Sequence, residues 1–156
     1  MSRRTPATLA LEKAGVAFTL HSYEYESGAE RIGLAAAEAL DAPPPQVLKT
    51  LMAEVDGKPV CVIVPSDREV NMKKLAAAFG GKSAQMLAPA VAERLTGYHV
   101  GGISPFGQRR HVPAAIEAAA LHEDSVFVNA GQRGLQVRLS PRDVQAVLQA
   151  VVAVVT

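Results

Sequence analysis

Val47-Leu-Lys-Thr-Leu-Met-Ala-Glu-Val-Asp-Gly-Lys-Pro-Val-Cys-Val-Ile-Val64 holds two apolar, β-prone runs either side of Asp56-Gly57. An Asp-Gly pair accepts the left-handed backbone that a two-residue hairpin turn requires. The runs therefore read as strands, Val47 to Val55 and Pro59 to Val64, paired antiparallel. A second hairpin is expected later, where Ser125 to Asn129 and Leu135 to Leu139 alternate around the glycine turn Ala130-Gly-Gln-Arg-Gly134.

Helices are expected around these hairpins. Thr5-Pro6 supplies an N-cap and first-turn proline for a helix that Gly15 can stop, and Val16 to Tyr25 then alternates as a strand with Phe18 and Leu20 on one side. Glu24 to Arg31 is polar and reads as a loop; Leu34 to Leu40 is alanine-rich and helical, ended by Pro43-Pro44-Pro45. Asn71 caps a helix through Phe79, Pro89 opens another that stops near Gly97, and Ser83 to Leu87 suits a short strand between them. Val112 to Leu121 is open between helix, favoured by its alanines, and strand, favoured by Pro113 and its shortness. Ser140-Pro141-Arg142-Asp143 caps a last amphipathic helix, predicted to carry Val144, Val147, Leu148, Val151 and Val155 on one face. Hairpins mixed with helices, without regular βαβ alternation, predict an α+β fold around a mixed, mostly antiparallel sheet or barrel.

At 156 residues and 49% hydrophobic, the chain suits one domain, residues 1–156, with one substantial core. Its formal charge of +1 leaves no global basic field to attract a polyanion, so any nucleic-acid contact must be local or shared with a partner. Met1-Ser2-Arg3-Arg4 lacks the apolar stretch of a signal peptide and no apolar run is long enough for a membrane span, which predicts a cytoplasmic protein without a membrane partner. Cys61, the one cysteine, lies in a β-rich run and reads as a buried strand thiol; the four histidines are scattered, so no metal site and no cofactor is expected.

Two local features invite chemistry. Gly101-Gly-Ile-Ser-Pro-Phe-Gly107 can bring backbone N–H groups close to a ligand, although it has neither a P-loop ending nor the βαβ setting of a dinucleotide site, and a tight turn would also explain it. Lys49 sits between apolar neighbours, so its stem is packed and its ammonium faces either a cavity or solvent. Ser104 is a poor nucleophile candidate, because Gly102-Ile-Ser104-Pro105 is not G-x-S-x-G and Pro105 lacks the N–H that such an elbow uses. Arg109, Arg110, His111 and Arg133 could hold phosphates or simply form a solvated face.

Leu20-His-Ser-Tyr-Glu24, Gln46-Val-Leu-Lys-Thr-Leu51, Thr96-Gly-Tyr-His-Val-Gly-Gly-Ile-Ser-Pro-Phe-Gly-Gln108 and Gly131-Gln-Arg-Gly-Leu135, in this order, resemble the YbaK family of Cys-tRNA(Pro) deacylases, related to the editing domain inserted in prolyl-tRNA synthetase. The resemblance implies a barrel-like, largely antiparallel core with surrounding helices. It implies a trans-editing hydrolase with no protein nucleophile, in which the cysteine's own thiol attacks its ester. It places the family's essential lysine at Lys49 and the substrate loop at Gly101, Gly102, Ile103, Ser104 and Pro105, with Tyr23 and Gly131 also binding substrate. The partners it implies are the acceptor end of tRNA(Pro) and prolyl-tRNA synthetase. An Ala-tRNA(Pro) deacylase and a non-catalytic aminoacyl-tRNA binding module are the alternatives.

Overall fold

A computed structural model describes residues 4–24 and 32–156. Most of the polar stretch read as a loop, residues 25–31, lies outside them.

The Asp56-Gly57 hairpin is present: β2 (Leu48–Val55) and β3 (Lys58–Pro65) pair antiparallel from Leu48↔Pro65 to Val55↔Lys58. Both turn residues take positive φ, 50° at Asp56 and 81° at Gly57, as this turn demands. β3 lies between β2 and β5 (Ala114–Glu117) in a five-stranded sheet of order β4-β2-β3-β5-β8, so its apolar run is buried on both faces. Cys61 and Ile63 look into one core, shared with the second sheet, α1 and Phe106; Val60, Val62 and Val64 look into another, closed by Leu75 and Ala76 of α3 (Met72–Ala78). That double burial explains why the run is continuous rather than alternating.

The second hairpin, β6 (Val126–Gln132) with β7 (Leu135–Leu139), joins β1 (Thr19–Ser22) in a three-stranded sheet of order β1-β7-β6. Its register shifts between Asn129 and Gln132, and this bulge later proves to face the site. An isolated parallel bridge, Val47↔Phe127, links the two sheets. Of the six ladders among the described residues, four are antiparallel; β3 with β5 and β5 with β8 (Val151–Ala153) are parallel. The mixed, mostly antiparallel α+β fold is as expected, but the ladders leave two open sheets and do not close into a barrel.

Caps explain the helix starts. α1 (Pro6–Lys13) begins at Thr5, whose hydroxyl accepts from the Thr8 N–H while the Thr8 hydroxyl accepts from the Thr5 N–H. Asn71 caps α3, Pro89 opens α4 (Pro89–Thr96), and α2 (Ile32–Ala39) ends before the prolines.

Two expectations need correction, and one open segment is settled. Leu20 is exposed, whereas His21 packs edge-on against Phe127 with ring centroids 5.2 Å apart; Val16 and Phe18 pack on the core, so the inward phase slips after Phe18. The open segment Val112 to Leu121 resolves into strand β5 followed by a 3-10 turn, Ala118–His122, because small buried alanines fit between β3 and β8 whatever their helix propensity. The last helix, α5 (Pro141–Leu148), stops short: Gln149 takes positive φ (51°) and the β-branched Val151-Val152 forms the edge strand β8 beside β5.

Beyond β8 the chain is held by Glu117. Its buried carboxylate accepts from the N–H groups of Ala119 (3.0 Å), Val155 (2.9 Å) and Thr156 (3.1 Å) and from the Thr156 hydroxyl (2.9 Å). Burial alone would raise its pKa, but these bonds outweigh that and hold it below its ordinary 4.5. A lowered carboxyl stabilises the fold above its ordinary pKa, and that contribution is lost as pH falls from 4.5 through the folded value. Glu117→Gln is therefore expected to cost about 2 kcal/mol at neutral pH. In urea titrations the gap between wild type and variant should narrow below pH 4.5; a gap that is constant with pH would contradict this.

Candidate functional site

The edge of β2 opposite β3 is covered by β4 (Ala84–Met86) only at Ala53–Val55, which leaves Leu48 to Met52 beside a cavity of about 470 Å³. Its wall is shared by β2, β6, β7, α4 and the loop after α4, and takes in Tyr23, Lys49, Thr50, Gly101, Ile103, Asn129 and Gln136. The volume falls within the range of about 300–1,000 Å³ usual for small-ligand sites. It suits a nucleoside-sized end rather than a whole nucleic-acid arm.

Lys49 lines this cavity. Its side chain is 20% exposed, and its ammonium lies 3.6 Å from the carboxylate of Glu69, which is 85% exposed. A pair with so exposed a partner contributes roughly 0–1 kcal/mol, so a ligand can recruit the ammonium at little cost.

The loop from Gly97 to Gln108 is tied at its base, where the N–H groups of Arg109 and Arg110 donate to the Thr96 and Leu95 carbonyls of α4 (both 2.9 Å). Phe106 fills it as a buried plug whose carbonyl accepts from the Tyr98 hydroxyl (2.6 Å). Gly102 lies against the β6–β7 turn so closely that an added Cβ would come 2.8 Å from the Arg133 backbone nitrogen. Only glycine permits this approach. The Gly102 N–H donates to the His99 carbonyl (2.8 Å), so a backbone-donor role of the loop falls on Gly101 and Ile103.

The candidate residues thus divide. Lys49, Gly101, Ile103 and Tyr23 meet at one cavity, whereas Gly102, Ser104, Pro105 and Gly131 do not line it. Ser104 is fully buried, with its hydroxyl accepting from the Phe106 N–H (3.2 Å) and its carbonyl accepting from the Gln108 amide (3.0 Å). It shapes the loop. Ser104→Ala is expected to cost about 1 kcal/mol in thermal or urea unfolding and to leave turnover within about threefold of wild type; a folded Ser104→Ala without activity would restore a serine nucleophile. Gly131 donates to Asn129 Oδ1 (2.7 Å), while Asn129 Nδ2 donates to the Gly101 carbonyl (3.1 Å), so the β6 bulge holds the loop through Asn129. Cys61 lies under the site near the Gln108 amide; burial pushes its thiol up to about 12, which removes it as a thiolate nucleophile near neutral pH.

Sequence reasoning had no signal for one property of the wall. Among the described residues, three buried side-chain polar atoms have no hydrogen-bond partner: Tyr23 Oη, Thr50 Oγ1 and Gln136 Oε1. All three residues line the cavity. Orphaned buried polar groups are costly and uncommon, so their convergence makes this cavity the candidate site for a polar ligand. Thr50, Glu69 and Met86 also line the cavity and were not among the candidate site residues.

Comparison with known proteins gives the family and the fold. The family model described as aminoacyl-tRNA editing domain matches residues 29–147. EbsC of Enterococcus faecalis, provisionally named a Cys-tRNA(Pro)/Cys-tRNA(Cys) deacylase, is 37% identical over 107 residues, 67% of this chain and 65% of EbsC. A proline–tRNA ligase of Nitratidesulfovibrio vulgaris is 38% identical over 68 residues, 44% of this chain and 12% of the ligase. The chain thus spans just under two thirds of the first relative and a small part of the second. A crystal structure described as a provisional trans-editing enzyme for prolyl-tRNA synthetase superposes with a TM-score of 0.85 at 23% identity, covering 99% of each chain, and shows that the fold is shared. Among the described residues no helix is long and apolar enough to cross a membrane. By the match across most of its length, this chain belongs to the aminoacyl-tRNA editing domain family.

Proposed function

We propose that this protein hydrolyses the ester of a mischarged aminoacyl-tRNA, removing cysteine from tRNA(Pro) in trans, in the cytoplasm and together with prolyl-tRNA synthetase. The observation that carries this reading is the meeting of Lys49 and Gly101 across one small cavity lined with unsatisfied polar atoms. Lys49 anchors the charged or polarised part of the aminoacyl end, and the loop offers backbone donors to the ester oxygen as charge develops there. Tyr23, Thr50 and Gln136 then find their partners on the bound substrate.

No side chain of the protein serves as nucleophile in this account. Ser104 is enclosed, Cys61 is held protonated, and the cysteinyl ester brings its own thiol. Attack of that sulfur on its carbonyl carbon forms the S–C bond and breaks the bond to the ribose oxygen, which takes the proton; water then opens the thiolactone to free cysteine. The site has only to fold the ester into that geometry and exclude competing poses. A net charge of +1 gives the chain little hold on tRNA by itself, which supports a synthetase as the source of tRNA selectivity. The relatives' names point the same way, EbsC by its substrate and the ligase by the enzyme in which the domain recurs.

The test is release of cysteine from Cys-tRNA(Pro) by the purified chain, with Pro-tRNA(Pro) spared. Absence of turnover on any charged tRNA(Pro), with tight binding retained, would replace the hydrolase by a binding module.

A further inference from the structure

We propose that Glu93 and Arg133 are positioning residues that grip the Val100 backbone from its two sides and so aim the Gly101 N–H into the cavity. Glu93 Oε2, from α4, accepts the Val100 N–H at 2.8 Å; Arg133 Nε, from the β6–β7 turn, donates to the Val100 carbonyl at 2.8 Å. The second contact fixes the plane of the Val100–Gly101 peptide. In a trans peptide the carbonyl and the following N–H point in opposite directions, so holding Val100 O towards Arg133 turns the Gly101 N–H away from it. The next peptide is held as well, with Gly101 O accepting from Asn129 and Gly102 N–H donating to His99 O. Three successive peptide planes, His99–Val100, Val100–Gly101 and Gly101–Gly102, are thus held by side chains from α4, the β6–β7 turn and the β6 bulge respectively. The His99 ring, 3.5 Å from the same Glu93 oxygen, and the nearby Arg133 charge steady the carboxylate.

This inference rests on the hydrolase reading for its catalytic consequence, and electrostatics gives it a sign. Glu93→Ala removes a negative charge near a site for an anionic ligand, so Coulomb attraction alone would improve binding, and alanine does not weaken α4. The clamp predicts the reverse for turnover. It also predicts that Glu93→Gln, which keeps an acceptor oxygen, restores function.

The experiment compares the full chain with Glu93→Ala and Glu93→Gln, following amide exchange at Gly102 by NMR and steady-state deacylation of Cys-tRNA(Pro). Expected for Glu93→Ala are exchange at Gly102 faster by at least ~10-fold with the sheet amides unchanged, and kcat lower by about 5-fold with KM within about 2-fold, while Glu93→Gln stays near wild type. Unchanged exchange at Gly102 in Glu93→Ala would overturn the clamp, as would a Glu93→Gln variant as impaired as Glu93→Ala. If wild type deacylates nothing, the hydrolase reading falls, while the exchange comparison still decides whether Glu93 holds the loop.

Discussion

Lys49→Ala is expected to lower deacylation of Cys-tRNA(Pro) by at least ~100-fold, because a preorganised charge acting on a developing oxyanion commonly contributes several kcal/mol to a transition state. The geometry makes this a clean substitution. Lys49 stands on β2 opposite Val64, inside a strand whose ladder to β3 needs only the backbone, so the strand survives loss of the side chain. Its Glu69 partner is too exposed to leave a costly unpaired charge behind. Stability should therefore change little, and Glu69→Gln should leave turnover near wild type. Parallel thermal melts and single-turnover rates check both. Near-wild-type turnover by a folded Lys49→Ala would remove the anchor from the account.

Lys49 and the glycine loop, which the structure brings to one cavity, stood out in the sequence because each is a local oddity, a cation in an apolar strand and a glycine-rich run without the context of a nucleotide site. Capped starts at Thr5, Asn71 and Ser140 and the Asp56-Gly57 turn were legible for the same reason, since their signals lie within four residues. What escaped depends on partners far away in the chain. β8 was read as helix because Val147, Leu148, Val151 and Val155 also fit a helical face, and its real partner, β5, joins it in parallel with no turn between them to announce the pairing. β5 itself was undecided between two local propensities, and its place between β3 and β8 settled the matter. In the site, Thr50 and Gln136 gain meaning only because β2 and β7 face one cavity, and Glu93 only because α4 returns beside the loop it precedes. Ser104, Pro105 and Gly102 shared a motif with the lining residues Gly101 and Ile103 but lie off the cavity wall, where Ser104 and Gly102 shape the loop, as Gly131 of the late hairpin shapes the bulge.

The second large effect concerns the substrate. If the protein supplies position and the substrate supplies the nucleophile, replacing the substrate's sulfur by oxygen should slow the reaction even though the pocket barely notices the change. Cysteine and serine esters are nearly isosteric, and a cavity of about 470 Å³ has no steric ground to separate them. A thiol is the stronger nucleophile near neutral pH, and held beside its own carbonyl it attacks intramolecularly. Alanine lacks the group altogether. Water activated by the cavity would instead treat all three esters alike, within the small factor that binding differences allow.

Single-turnover rates for Cys-, Ser- and Ala-tRNA(Pro) at saturating protein measure this directly, since saturation removes differences in affinity. The account predicts that Cys-tRNA(Pro) is cleaved at least ~10-fold faster than Ser-tRNA(Pro), with Ala-tRNA(Pro) no faster than serine. Equal rates for the three esters would contradict substrate assistance and leave a water-based hydrolase in its place.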